Sequence, residues 1–273
     1  MGACSRRENV VSIAVGRQSL ESEAVAVIAP RYLFVCLIVL LIAANIVTGA
    51  MTERDSVPTP WLLLPWGITA ACMIACFAII GKLPVRVAGQ VSVSDWRSIL
   101  VDQRNKMSLA RLQLVLWSVL VISAALTEGI LNSIWGRPEP LNLAIPSQLW
   151  IVLGLSSASF VAAPVVLGSK ADHKWLHTKA PGQHAWRDIF YGDDTGNADQ
   201  VDVSKVQQFF FTVLLIISYA VAIGNILVTI TPSSATCLSF PRLDPGFVGI
   251  MAVSQVAYIA YKAIPQNKTD APN

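Results

Sequence analysis

Few residues in this chain could carry chemistry, and none completes a site by its spacing. His173 and His177 stand at i,i+4, which would put two imidazoles on one helix face, half of what a metal ion needs. Neither Asp172 nor His184 adds a ligand at a fitting interval. The run Gly192-Asp193-Asp194-Thr195-Gly196-Asn197-Ala198-Asp199 has the acid density of a calcium loop. Counted from Asp193, however, its sixth position is not glycine, and Ser204 stands twelfth, where a bidentate glutamate belongs. It reads as an acidic turn. Cys72 and Cys76 share a helix face without further ligands and read as small buried thiols, and Cys4, Cys36 and Cys237 add no disulfide framework. The chain has no HExxH, no phosphate-cradling glycine loop and no Ser/His/Asp set. The expectation is no metal, no cofactor and no catalytic residue.

Other residues could bind or sense. A tryptophan–arginine pair opens Trp96-Arg97-Ser98-Ile99-Leu100 and again Trp186-Arg187-Asp188-Ile189-Phe190, and an asparagine follows each, Asn105 and Asn197. Such pairs suit short amphipathic helices at headgroup level, ring inward and charge outward. The asparagines suit turns that redirect the chain. Arg111 and Lys205 then mark the entry to apolar helices, with Gln113 and Gln207 two residues further in, where an amide can bond a backbone or its counterpart. The plain role of this set is to anchor and register helices; the sharper one is ligand sensing or docking. Glu128 is the one acid inside an apolar run. Ionisable groups there often line a path, but its place near the outward end puts it within reach of water and favours an interfacial role. Asn45, Thr69, Asn132, Asn225 and Gln255 suit interhelical hydrogen bonds, worth about 0.6 kcal/mol each.

What must position these residues is a membrane. The chain is 54% apolar and 14% charged over 273 residues, too apolar for an ordinary soluble domain. Apolar runs long enough to cross about 30 Å of hydrocarbon occur at 32–50, 61–81, 112–133, 148–167, 208–230 and 246–263. With the N-terminus cytoplasmic, 17 of the 20 Lys and Arg residues fall on the cytoplasmic side, and Arg54, Arg137 and Arg242 alone fall outside. That asymmetry sets both termini inside and explains the net charge of +3 without nucleic acid, which would require a clustered basic motif. The first apolar run begins too late for a signal peptide, and Arg6 stands where a myristoylation signal needs Ser or Thr. Gly154, Ala158 and Ala162, like Ala220 and Gly224, have the spacing of helix–helix contacts, and Pro164 predicts a bend.

The two tryptophan–arginine segments head two similar stretches. Leu109–Ile122 corresponds to Val203–Ile216, with Arg111 against Lys205, Gln113 against Gln207 and Ser118 against Thr212. The chain thus divides into a leader with a transmembrane hairpin (1–84), two repeats (95–167 and 185–264) and a tail (265–273). Each repeat holds two spans, so their pseudo-two-fold axis lies along the membrane normal. The expected fold is all-α, a polytopic bundle of six transmembrane helices with a duplicated two-helix repeat.

The stretches SLARLQLVLWSVLV, LGLSSASFVAAP and GNADQVDVSKVQQFFFTVLL resemble a group of bacterial multi-pass membrane proteins. Those share an Arg-x-Gln-x3-Trp-[Ser/Thr] helix, a Leu-Gly-Ile-Ser helix, here with Leu155 for the isoleucine, and an Asp-x-[Ser/Gly]-[Arg/Lys]-Val-Gln entry. The resemblance covers 95–264. It implies a bacterial inner-membrane location and brings no activity with it.

The cytoplasmic segments are each too short to bury a core of their own, which argues against an enzyme with a soluble catalytic domain. The leading functional expectation is a channel-like or signal-responsive membrane effector. A small-solute transporter and a non-catalytic scaffold that docks a cytoplasmic protein on 169–205 are the alternatives. The bilayer is the expected partner, with room for a homo-oligomer and a cytoplasmic protein.

Overall fold

The computed structural model describes residues 33–51, 60–83, 85–87, 90–92, 95–168, 177–180, 182–230 and 238–264. Six helices among them are long and apolar enough to cross a membrane: α1 (Leu33–Met51), α2 (Leu63–Gly81), α3 (Leu109–Ile134), α4 (Ser147–Gly168), α5 (Val203–Thr229) and α6 (Pro245–Ala263). The protein is an all-helical integral membrane protein, apart from a two-stranded hairpin, β1 (Val85–Val87) with β2 (Gln90–Ser92). The tryptophan–arginine segments are short helices of the 3-10 kind, Trp96–Leu100 and Trp186–Ile189. Each is followed by a loop closed by one antiparallel bridge, Val101 with Met107 and Tyr191 with Val201, and then by a long helix.

Helix starts explain where apolar runs misjudge length. α5 begins at Val203, several residues before the apolar run, because the Asp202 carboxylate accepts the backbone N–H groups of Ser204 and Lys205. α6 begins in the same way, with Asp244 accepting from Gly246 N at 2.7 Å and Pro245 at the first position. Pro164 does not end α4, which runs on to Gly168.

The core lies among α3, α4, α5 and α6, around Trp117 and Tyr219, whose ring centroids are 6.3 Å apart. α2 joins through Trp66, whose indole N–H donates to Ser123 at 3.1 Å. α1 is held at the edge by Asn45, which donates to Thr69 at 2.7 Å. On α4 the buried face is Leu149, Val152, Ser156, Ser159, Ala163 and Leu167. Gly154 and Ala158 are exposed, so that small-residue stripe faces away from the bundle, a correction to the contact its spacing predicts. On α5, Gly224 does meet a neighbour, lying against Leu63 and Trp66 of α2.

At the end away from the 3-10 turns, Leu238, Phe240 and Leu243 fold back into the core and roof the bundle. Asn132 holds this roof: its amide donates to the Leu238 carbonyl at 3.2 Å and accepts the Leu238 N–H at 3.0 Å. Burial makes both bonds costly to lose, about 1–3 kcal/mol for each group left unsatisfied. Asn132→Leu should therefore lower the thermal unfolding midpoint clearly, while Ser133→Ala, at the exposed neighbouring position, should move stability by less than about 0.5 kcal/mol. Light-scattering or fluorescence melts of the purified protein check both.

Candidate functional site

At the opposite end, three consecutive residues each turn an oxygen toward buried cations. The Tyr191 carbonyl accepts from Lys205 Nζ and the Gly192 carbonyl from Lys106 Nζ at 2.6 Å. The Asp193 carboxylate pairs with Arg104 at 2.9 Å, Lys205 at 3.1 Å and Lys262 at 2.8 Å. These cations come from the loop before α3, the first turn of α5 and the last turn of α6. One carboxylate thus joins both loops to two helices.

Burial opposes charge on Asp193, but Lys262, Lys205 and Arg104 hold its carboxyl well below the ordinary value. Arg104 is likewise kept firmly charged against its burial by Asp193 and Asp102. Lys106 has a different balance. Burial pushes its pKa down to about 8; Asp193 pulls it back up, while Lys205 and Arg104 lower it further. A second buried pair, Lys179 with Asp188 at 2.5 Å, lies alongside. The Asp188 carboxylate also accepts from Ala185 N at 2.9 Å, and with Lys179 this holds Asp188 below its ordinary value despite burial.

Local geometry makes these contacts possible. Asn105 adopts φ 58°, in the left-handed region that asparagine tolerates, and its amide donates to the Lys179 carbonyl at 2.9 Å. Asp102 accepts from Arg104 N at 2.9 Å and folds its own loop. Asn197 accepts from Asp194 N at 3.1 Å and closes the acidic turn. The turn leaves no room beside Gly192, where a Cβ would strike the side chain and carbonyl of Asn197. Gly81 is equally constrained, since a Cβ there would strike the Trp96 carbonyl; this close approach seats the first 3-10 turn on α2.

Deeper in the bundle a polar layer links four helices. Gln113 of α3 donates to Thr212 of α5 and accepts from Gln255 of α6 at 3.2 Å. Gln255 in turn accepts from Ser159 of α4. Gln208 of α5 accepts from Ser254 of α6, and its carbonyl takes the Thr212 hydroxyl at 2.8 Å. Lys205 and Gln208 share one face of α5 with Thr212, Leu215 and Tyr219, and Gln255, Tyr258 and Lys262 share one face of α6. The charged end and the amide layer are thus about one to two helical turns apart on the same faces.

The structure brings Asn105, Asn197 and Lys205 together in the charged end and puts Gln113 at the centre of the amide layer. Gln207, paired with Gln113 by sequence, is exposed, and Gln208 takes the inward place. Asp193 draws Lys205 inward, and the position three residues on must then face the core. Trp96 and Trp186 meet each other with centroids 6.2 Å apart and remain nearly half exposed. Arg97 pairs with Asp95, whereas Arg187 is exposed, so the two arginines are not equivalent. Arg111 is half-buried, beside Phe160. Glu128 is only 2% exposed. Its expected access to water is corrected by this burial, with α3 continuing past it to Ile134.

Asp193 reads in the sequence only as part of an acidic turn. Arg104, Lys106 and Lys262 carry no local signal of their shared place with it, nor Gln208 of its place in the amide layer. Lys262 does repeat at helical spacing from Gln255 and Tyr258 on one face. Among the described residues no three His, Cys, Asp or Glu side chains gather to hold a metal ion. His173 lies outside the described residues, and the acidic turn spends its oxygens on protein cations.

Removing the Asp193 charge leaves its cations without their shared carboxylate, a loss of about 3–5 kcal/mol. Asp193→Asn should be strongly destabilised in thermal or denaturant unfolding, and Asp199→Asn, at an exposed position of the same turn, nearly neutral. Lys106 gives a pH signature. Its folded value lies below its unfolded one, so the unfolded chain binds more protons between about pH 8 and the ordinary 10.5. Stability contributed by Lys106 therefore rises across that window. The wild-type midpoint should climb relative to Lys106→Met as pH rises through it.

Comparison with known proteins found no matching family model, no matching curated protein and no matching solved structure.

Proposed function

We propose that this protein is a non-catalytic, signal-responsive membrane effector with a channel-like bundle. Its loop-built charged end receives the signal and biases the helices. The observation that carries this reading is the Asp193 carboxylate, which binds cations from the loop before α3 and from α5 and α6 at once. A ligand or partner that competes for one of those cations changes the constraint on all of these elements. The concentration of Lys and Arg on this side supports placing it, with both termini, in the cytoplasm beneath a bacterial inner membrane. The common order of 3-10 turn, bridged loop and long helix supports descent of 95–167 and 185–264 from one duplicated unit.

The alternative is a small-solute transporter, favoured by the amide layer of Gln113, Gln208 and Gln255 deep in the bundle. Those amides are engaged with one another and with Thr212, Ser159 and Ser254, which suits a closed seam better than an open solute site.

Efflux of ions and small dyes from liposomes that contain the purified protein separates the two. The effector reading expects tight vesicles with wild-type protein and leak with Gln113→Leu, which breaks the seam at its centre. Tight vesicles with folded Gln113→Leu protein contradict it, and solute accumulation by the wild type against a gradient favours the transporter.

A further inference from the structure

A cavity of about 550 Å³ opens beside the charged end, between the start of α3 and the ends of α4 and α6. Arg104, Arg111 and Lys262 line one side. Among the described residues Asp102 is the one acid on the lining, and it is held by Arg104 at 2.7 Å. Asp193 cannot balance the rest, because it already shares Arg104 and Lys262 with Lys205. Asp202 caps α5 and does not line the cavity. Arg111 has no acid partner among the described residues. Its guanidinium reaches the Ile99 carbonyl at 3.5 Å and lies 5.6 Å from the centre of the Phe160 ring.

The first turn of α3 adds to this field. Ser108 stands at its N-cap and lines the cavity, yet its side chain makes no capping bond. The N-terminal N–H groups and the positive end of the helix dipole are therefore left toward the same space. The α4 side of the lining is apolar, with Phe160 beside Arg111 and Val161 and Leu167 next to it. Val161 is 61% exposed and Val165, one turn on, 65% exposed, so this wall continues onto the surface that faces hydrocarbon.

We propose that this cavity binds the phosphate group of an anionic lipid, with Arg111 as its main contact and one acyl chain lying along Val161 and Val165. A phosphate ester supplies the oxygens that the cationic side lacks. The apolar wall distinguishes a lipid from free phosphate, which would leave that surface unused. The site names the ligand class for the effector reading and rests on that reading only for its consequence. Binding is measured without efflux, so failure of one is distinguishable from failure of the other.

The test uses the full chain in neutral detergent, with the thermal midpoint followed as phosphatidylglycerol, phosphatidylcholine or inorganic phosphate is added. Phosphatidylglycerol should raise the wild-type midpoint, and the other two should not. Arg111→Gln should need about tenfold more phosphatidylglycerol for the same rise, the loss of one charge-assisted contact. Arg187→Gln, at an exposed arginine away from the cavity, should respond as wild type does. Val161→Trp, which narrows the mouth at an exposed position, should weaken the response independently of charge. An unchanged response in both Arg111→Gln and Val161→Trp overturns the site. Equal losses in Arg111→Gln and Arg187→Gln reduce it to general surface attraction, and an equal effect of inorganic phosphate overturns the lipid assignment.

Discussion

A buried carboxylate with more cations than it can neutralise is the constraint on which the charged end depends. Asp193 is 7% exposed and pairs with Arg104, Lys205 and Lys262, while the carbonyls just before it take Lys106 and Lys205. Charges out of water are tolerated only where they are paired and hydrogen-bonded. Each loop therefore has one arrangement that keeps its cation covered. The glycine at 192 and the asparagine at 197 follow from that requirement, because the chain must turn tightly enough to present three successive oxygens, and the left-handed Asn105 turns the loop that carries Arg104 and Lys106.

The same constraint passes into the membrane part through helix faces. Lys205 fixes the rotation of α5, which sends Gln208 and Thr212 inward; Lys262 fixes α6, which sends Tyr258 and Gln255 inward. Gln113 then meets partners from both helices. These amides are buried and bonded to one another and to neighbouring hydroxyls, so the layer adds to side-chain packing in setting helix register.

Much of the architecture was legible. Six spans follow from apolar length, and the described helices coincide with them. The tryptophan–arginine segments and the asparagine turns could be found because they occur twice. The remainder failed for definable reasons. Apolar runs miss helix starts set by Asp202, which is polar. The equivalence of Gln113 with Gln207 failed by one residue because helix rotation is decided by a partner distant in sequence, Asp193. The stripe at Gly154 and Ala158 predicted a contact, but small residues also lie on exposed faces, and here Ser156 and Ser159 turn inward instead. Asp193 itself sits in a run that reads as an acidic turn, since nothing local announces that three cations converge on its carboxylate.

Hydrogen exchange followed by mass spectrometry on the wild type and Asp193→Asn tests the central claim, that one carboxylate holds the charged end and the amide layer as a unit. The account predicts lost protection in 101–108, in the first turns of α3 and α5 as far as Gln113 and Gln208, and in the last turns of α6. Loss confined to the turn around 190–202, with α3 and α6 unchanged, would contradict it.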